Sequence, residues 1–333
     1  MRQGSALGVA AILVTAVLWG TTGTAATFAP NVGPLAMGAA ALGVGGLLQA
    51  LIALPRLRRE ASALRPHWGV VLVGALGVVI YPLAFYSSMH LAGVAVGTVV
   101  SLGSAPIASG ILERIIDHRP LSVSWMLAAG LGIAGSAVLC GAQMHSAPVG
   151  MVNTAAGVGL GLVAGTTYAL YSWAAHLLMH SGIGRAAAMG AVFGLGGLAL
   201  MPVLAFTGAP LIASPQGFAV GAYMALVPMF LGYVLFGFGL TRVSGSTATT
   251  LTLAEPAVAA VLAVCIVGER LSVTGWLGLS AIGVSLFILA FAPAAHETTR
   301  EALLDEPEIT EPALRPHEVE VDRSVPSTSA GVR

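Results

Sequence analysis

STATTLTLAEPAVAAVLAVCIV, residues 246–267, is apolar over the roughly 20 residues that a bilayer demands of a spanning helix, yet it carries a carboxylate, Glu255, near its middle. The rest of the chain has the same character. Of 333 residues, 56% are hydrophobic, only 8% are charged and 43 are glycine, with a mean hydropathy of +0.90. A soluble chain of this length forms one or two domains that must be covered with charge, and 14 basic and 14 acidic side chains do not suffice. The composition therefore predicts an all-α integral membrane protein, with lipid as its solvent.

Ten apolar runs are long enough to span: residues 6–28, 33–54, 68–90, 94–112, 122–142, 152–178, 186–207, 217–240, 246–267 and 273–292. The first follows Met1-Arg2-Gln3, and with nine more behind it reads as a retained first helix, not a signal peptide. Beyond residue 292 the character changes. Glu301, Asp305, Glu306, Glu308 and Glu311 alternate with Pro307, Pro312 and Pro316, which predicts a disordered, solvated tail over 293–333.

Orientation comes from the basic residues, all of which are arginine. Arg2, Arg56, Arg58, Arg59, Arg65, Arg114, Arg119, Arg185 and Arg242 fall in alternate loops, whereas the loops near Asn31, Gly93, His145 and Ser214 have none. The positive-inside rule then places both termini in the cytoplasm, with Arg270 as the exception.

The chain also repeats itself. SLGSAPIASG from Ser101 matches TLTLAEPAVAA when Pro106 is set on Pro256, an offset of 150, and His118 to Val123 matches Gly268 to Val273 at the same offset. Trp125 with Trp276 and Gly132 with Gly283 continue the match at 151. The copies are 1–142 and 150–292, each with five spans. An odd number makes the second copy inverted relative to the first, the arrangement in which secondary carriers hold solutes near the bilayer midplane.

Leu18-Trp19-Gly20-Thr21, the serine-rich fourth span with its central proline, Ala254-Glu255-Pro256-Ala257 and Gly268-Glu269-Arg270-Leu271 resemble the EamA domains of the drug/metabolite transporter superfamily. The resemblance covers about 6–292. It implies a plasma-membrane carrier with ten helices, often an exporter of amino acids or other small metabolites. His118-Arg119 stands where that pattern has Gly-Glu-Arg.

Depth separates Glu255 from the other acids ahead of the tail. Glu60, Glu113, Asp117 and Glu269 fall at or beyond span ends, where water or headgroups are expected to stabilise them. A charged side chain at mid-span costs about 2.5–3.5 kcal/mol on insertion scales. Glu255 is therefore the position at which a proton and an ammonium-bearing solute are expected to compete, which would couple their movements. Thr252 and Thr249 lie one and two turns earlier, and Pro256 removes the hydrogen-bond donor for a carbonyl one turn below. The structural alternative is a carboxyl hydrogen-bonded within the bundle that fixes packing. In the first copy Ala105 takes its place, with Ser101 and Ser104 nearby, so the site is asymmetric.

Trp19 either stacks on a solute or anchors at the interface. Tyr86 and Tyr168, with Tyr171 and Tyr233, either pack in the bundle, the commoner role for each alone, or donate hydrogen bonds into a cavity expected between spans 1, 3, 4, 6, 8 and 9. Gly157, Gly161 and Gly165, like Gly190 and Gly194, read as close-packing faces.

Catalytic patterns are missing. Cys140 and Cys265 are isolated in apolar context, no phosphate-binding loop is available without lysine, and no second intramembrane acid accompanies Glu255. No cofactor, metal or nucleic-acid partner is expected. The reading is a secondary carrier exporting amino acids or related metabolites, with a cationic-drug exporter as runner-up and a scaffold or sensor acting through the tail as the alternative from another class.

Overall fold

The computed structural model describes residues 2–118, 120–142, 151–262, 264–265 and 272–291. The tail, Arg119 and the Gly268–Leu271 motif lie outside the described residues. Every element among those described is helical. In chain order they are α1 (Arg2–Gly20), α2 (Thr22–Thr27), α3 (Pro34–Gly38), α4 (Gly45–Arg59), α5 (Ala61–Leu64), α6 (Trp68–Ala92), α7 (Val94–Ile115) and α8 (Val123–Ala142). They continue as α9 (Met151–His180), α10 (Arg185–Thr207), α11 (Ala209–Ile212), α12 (Pro215–Met224), α13 (Gly232–Leu240), α14 (Gly245–Leu251), α15 (Ala254–Leu262) and α16 (Val273–Phe291).

Among the described residues, seven stretches are long and apolar enough to cross a membrane: Gly4–Thr27, Pro34–Arg59, Ala61–Ala92, Val96–Ile115, Val123–Ala142, Arg185–Thr207 and Pro215–Leu240. The other three expected spans differ for local reasons. Along α9, glycine, threonine, tyrosine and histidine dilute the apolar residues of a 30-residue helix. The ninth is divided into α14 and α15 by a turn at Thr252–Leu253. The tenth has a shorter described apolar stretch, Val273–Leu289.

π-Helical turns interrupt longer helices at Ala39–Val44, between α3 and α4, and at Ala225–Leu231, between α12 and α13. The second contains Pro228, whose missing N–H breaks the regular ladder. The two proline-bearing repeats also differ. Pro106 lies inside a continuous α7, whereas Pro256 follows the break between α14 and α15.

The glycine faces pack as expected. A side chain at Gly157 would meet Ala92, at Gly161 Val100, and at Gly165 the backbone of Ser101, so α9 lies directly against α6 and α7. Gly190 and Gly194 bring α10 against Ala53 and Ala50 of α4.

One expectation about the acids is corrected. Glu113 sits at the end of α7, but it is buried, and Ser246 donates to it through both its N–H (2.8 Å) and its hydroxyl (2.6 Å). The sequence position marks the helix end; it does not reveal that the start of α14 is folded over it. Glu60 accepts from the Gly184 N–H at 2.6 Å, and Asp117 accepts from the Trp173 indole at 3.2 Å.

Candidate functional site

Glu255 is the second residue of α15, and Pro256 sets its position. Proline has no N–H, so the Thr252 carbonyl four residues earlier loses its α-helical donor. Here that carbonyl accepts from the Glu255 N–H at 2.9 Å, and Leu253 N–H bonds Thr250 O at 3.1 Å. These tight turns end α14 and let α15 start afresh, with Glu255 in its first turn. A broken helix inside a membrane protein is tolerated where its freed groups are satisfied or line a cavity.

Thr252 braces the break. Its hydroxyl donates to Thr249 O at 2.9 Å, which leaves its oxygen to accept from the Tyr168 hydroxyl, also at 2.9 Å. Thr249 is fully buried and its hydroxyl bonds back to Gly245 O (3.0 Å) and Ser246 O (3.1 Å), away from the carboxyl group. The two threonines expected beside Glu255 thus hold backbone and Tyr168.

Glu255 borders a small cavity. Trp19 and Thr22 come from the α1–α2 junction, Ala41 and Leu42 from the first π turn, and Tyr81, Pro82, Phe85 and Tyr86 from the C-terminal half of α6. Met229 of the second π turn and Tyr233 of α13 complete the lining. Glu255 is 7% exposed, and among the described residues no side chain pairs with its carboxyl group.

The walls therefore come from spans 1, 2, 3, 8 and 9. Spans 4 and 6, also expected to line the cavity, do not touch it. From the sixth span, Tyr168 and Tyr171 are fully buried and pack behind the lining: Tyr81 has ring-centre distances of 5.5 Å to Tyr168 and 5.6 Å to Tyr171. Span 2 enters through Ala41 and Leu42 of its π turn.

Trp19 is buried in the bundle, 4% exposed. Its indole N–H donates to Pro228 O at 2.9 Å, and its ring lies 4.9 Å from Tyr233 and 5.4 Å from Phe236. Two glycines make that position accessible. A Cβ on Gly20 would fall 2.8 Å from Val258 and 3.0 Å from Glu255 O, and one on Gly232 would fall 2.8 Å from the Trp19 indole nitrogen. The Trp19-Gly20 pair therefore puts an aromatic ring and the start of α15 in direct contact with one cavity.

Tyr171 and Tyr233 share a 2.6 Å hydroxyl–hydroxyl hydrogen bond beneath Trp19. Phe193 packs 5.3 Å from Tyr171 and 4.5 Å from Tyr233. These rings and Phe236 form a buried aromatic layer, stabilised by edge and tilted contacts.

The structure brings Trp19, Tyr86 and Glu255 together on the cavity, with Thr252 and Tyr168 one shell behind. Ser101 lies elsewhere, buried on α7, its hydroxyl without a partner among the described residues, and its repeat neighbour Ala105 is buried too. Sequence reasoning missed Tyr81, Phe85, Thr22 and Met229. The available signal was the spacing Tyr81, Phe85, Tyr86, one helical turn apart. Chemically, one carboxyl group among aromatic faces offers a place for a cation or a proton, since ring faces carry negative potential.

The sequence pattern of the EamA-like transporter family matches residues 6–141 and again 155–291. The chain is 34% identical over 293 residues to the uncharacterised transporter YwfM of Bacillus subtilis, covering 87% of this chain and 96% of that one. It is 26% identical over 269 residues to a probable terminal-alkyne amino-acid exporter of Streptantibioticus cattleyicolor, covering 78% and 85%. It is 22% identical to the uncharacterised inner membrane transporter YicL of Salmonella typhimurium, covering 85% and 95%. A protein crystal structure superimposes with a TM-score of 0.69 over 92% of this chain and all of that one, at 19% identity, a likeness of fold.

Proposed function

Because the chain belongs to the EamA-like transporter family, we propose that it is a secondary carrier of the cell membrane, working by alternating access, in which Glu255 binds the cationic group of the solute or a coupling proton. The observation that carries this reading is the Glu255 carboxyl group, facing an aromatic cavity with no side-chain partner among the described residues. Ten spans in two inverted copies, 1–142 and 150–292, accommodate the two family matches. Both termini are cytoplasmic, following the arginine-bearing loops, and the tail at 293–333 is dispensable for flux.

The solute is an amino acid or a related small metabolite, and the direction is export. In support, one relative is named a probable amino-acid exporter. Trp19, Tyr81, Tyr86 and Tyr233 beside a single acid also favour a second reading, export of cationic amphiphiles, because aromatic faces attract organic cations.

A thermal-shift screen on purified protein tests the binding claim. A ligand of the folded state raises stability in proportion to the logarithm of its saturation, about 2.7 kcal/mol at a hundred times its Kd. Amino acids, their amides and quaternary ammonium compounds are compared on the wild type and on Glu255→Gln. Ligands carrying an ammonium group should raise the unfolding temperature of the wild type and lose that effect in the variant. Equal shifts in both proteins would remove Glu255 from the binding site. Preference for zwitterions over amides and quaternary compounds decides between the two solute classes.

A further inference from the structure

Three carboxylates in residues 1–142 reach donors in residues 150–292. Glu60, just after α4, accepts from Gly184 N–H ahead of α10; Glu113, in the last turn of α7, holds Ser246 in the first turn of α14; and Asp117, just after α7, accepts from Trp173 of α9. Gly245 sits against both partners, since a Cβ there would approach Glu113 Oε1 at 3.5 Å and Trp173 N at 4.0 Å. Hydrogen bonds to an ionised acceptor are roughly twice as strong as neutral ones.

The opposite helix ends are joined differently. Ser88 donates to Gly157 O at 2.7 Å, and Thr21 and Tyr223 share a 2.7 Å hydroxyl contact. Both links are neutral. The cavity, too, draws on these ends: on Trp19 and Thr22 around the C-terminus of α1, and on Tyr81 to Tyr86 in the C-terminal half of α6. Between cavity and carboxylates stands the layer of Tyr168, Tyr171, Tyr233, Phe193 and Phe236, each 1% exposed or less.

We propose that Glu113, with Glu60 and Asp117, forms the cytoplasmic gate of this carrier, and that the structure holds that gate shut. The proposal rests on the alternating-access reading and on the orientation given above. For the aromatic layer to part toward the cytoplasm, α14 must leave α7, and the Ser246–Glu113 pair is the contact that breaks. Glu113 is a gating residue and touches no solute. Its double acceptance, from a backbone N–H and a side-chain hydroxyl of one residue, fixes the start of α14 in both position and rotation. The Thr252 break then transmits that placement to Glu255, because α14 is only seven residues long and ends at Leu251, just before the break.

Side-specific labelling tests this without any solute, so its outcome is independent of Glu255. The full chain carries Cys140→Ala and Cys265→Ala, with Thr249→Cys as reporter one turn inside Ser246, and is exposed to a membrane-impermeant maleimide in inside-out and right-side-out vesicles. Glu113→Gln should accelerate labelling from the cytoplasmic side about tenfold, the population change that losing one charged hydrogen bond produces, with no change from outside. Ser246→Ala, which keeps the carboxylate and loses one donor, should act in the same direction and is the working variant if Glu113→Gln does not fold. Acceleration from the outer side alone would support the gate and overturn the orientation. Unchanged labelling in folded Ser246→Ala and Glu113→Gln would overturn the gate, as would equal acceleration from both sides, which signals general loosening.

Discussion

The Tyr168 hydroxyl donates to the Thr252 hydroxyl at 2.9 Å, so a side chain of α9 holds the turn at which α14 ends and Glu255 enters the cavity. The bond ties the shape of the site to a helix that does not line it.

Removing one partner tests that tie. Tyr168→Phe leaves the Thr252 oxygen without its donor in a buried setting, a loss of about 1–3 kcal/mol. The expected outcome is a lower unfolding temperature in detergent together with weaker solute binding. Thr252→Val, which deletes the hydroxyl and keeps the shape, should behave alike, and the double variant should cost less than the sum because both act on one bond.

Gly20 makes a sharper steric prediction. A methyl group there would press on Val258 and on the Glu255 carbonyl, and overpacking of this kind costs about 1–3 kcal/mol. Gly20→Ala should lower both thermal stability and flux. Gly23→Ala, where a Cβ meets open space, should leave both unchanged.

Trp19→Phe keeps most of the ring area and deletes the indole donor to Pro228 O. A buried carbonyl at the second π turn then lacks that partner, at a cost of about 1–3 kcal/mol. Unfolding curves should report the loss, and solute affinity should fall because the cavity residues Met229 and Tyr233 lie in that turn and just after it.

Deleting residues 293–333 separates a carrier from a scaffold. A carrier whose working parts lie in the helical unit should retain its flux in proteoliposomes, whereas a tail-dependent protein would lose its function.

Much of the helical layout was legible because lipid imposes a simple demand: continuous apolar length. Pro256 also announced its effect, since a missing N–H can be read from one letter. What it did to the chain was less legible. A freed Thr252 carbonyl can be met by water, by a side chain or by a tightened turn, and the choice of the Glu255 N–H depends on neighbours far along the chain. Tyr81 and Phe85 escaped notice because α6 is apolar all round, so periodicity points to no face. In the sequence Glu113 reads as a solvated helix end because its partner, Ser246, is 133 residues away. The asymmetry between Glu255 and Ala105, by contrast, was plain in the repeat and is accompanied by a difference in backbone, a broken helix against a continuous one.

The central claim is that Glu255 exchanges a proton or an ammonium group during transport. Its most direct test is flux of a solute found in the thermal-shift screen, driven by a pH gradient across proteoliposomes, for wild type and Glu255→Gln, with solute counterflow measured alongside. The account predicts that gradient-driven accumulation and its pH dependence disappear in the variant, while the reconstituted protein remains folded. Accumulation that survives in Glu255→Gln with the wild-type pH dependence would contradict it.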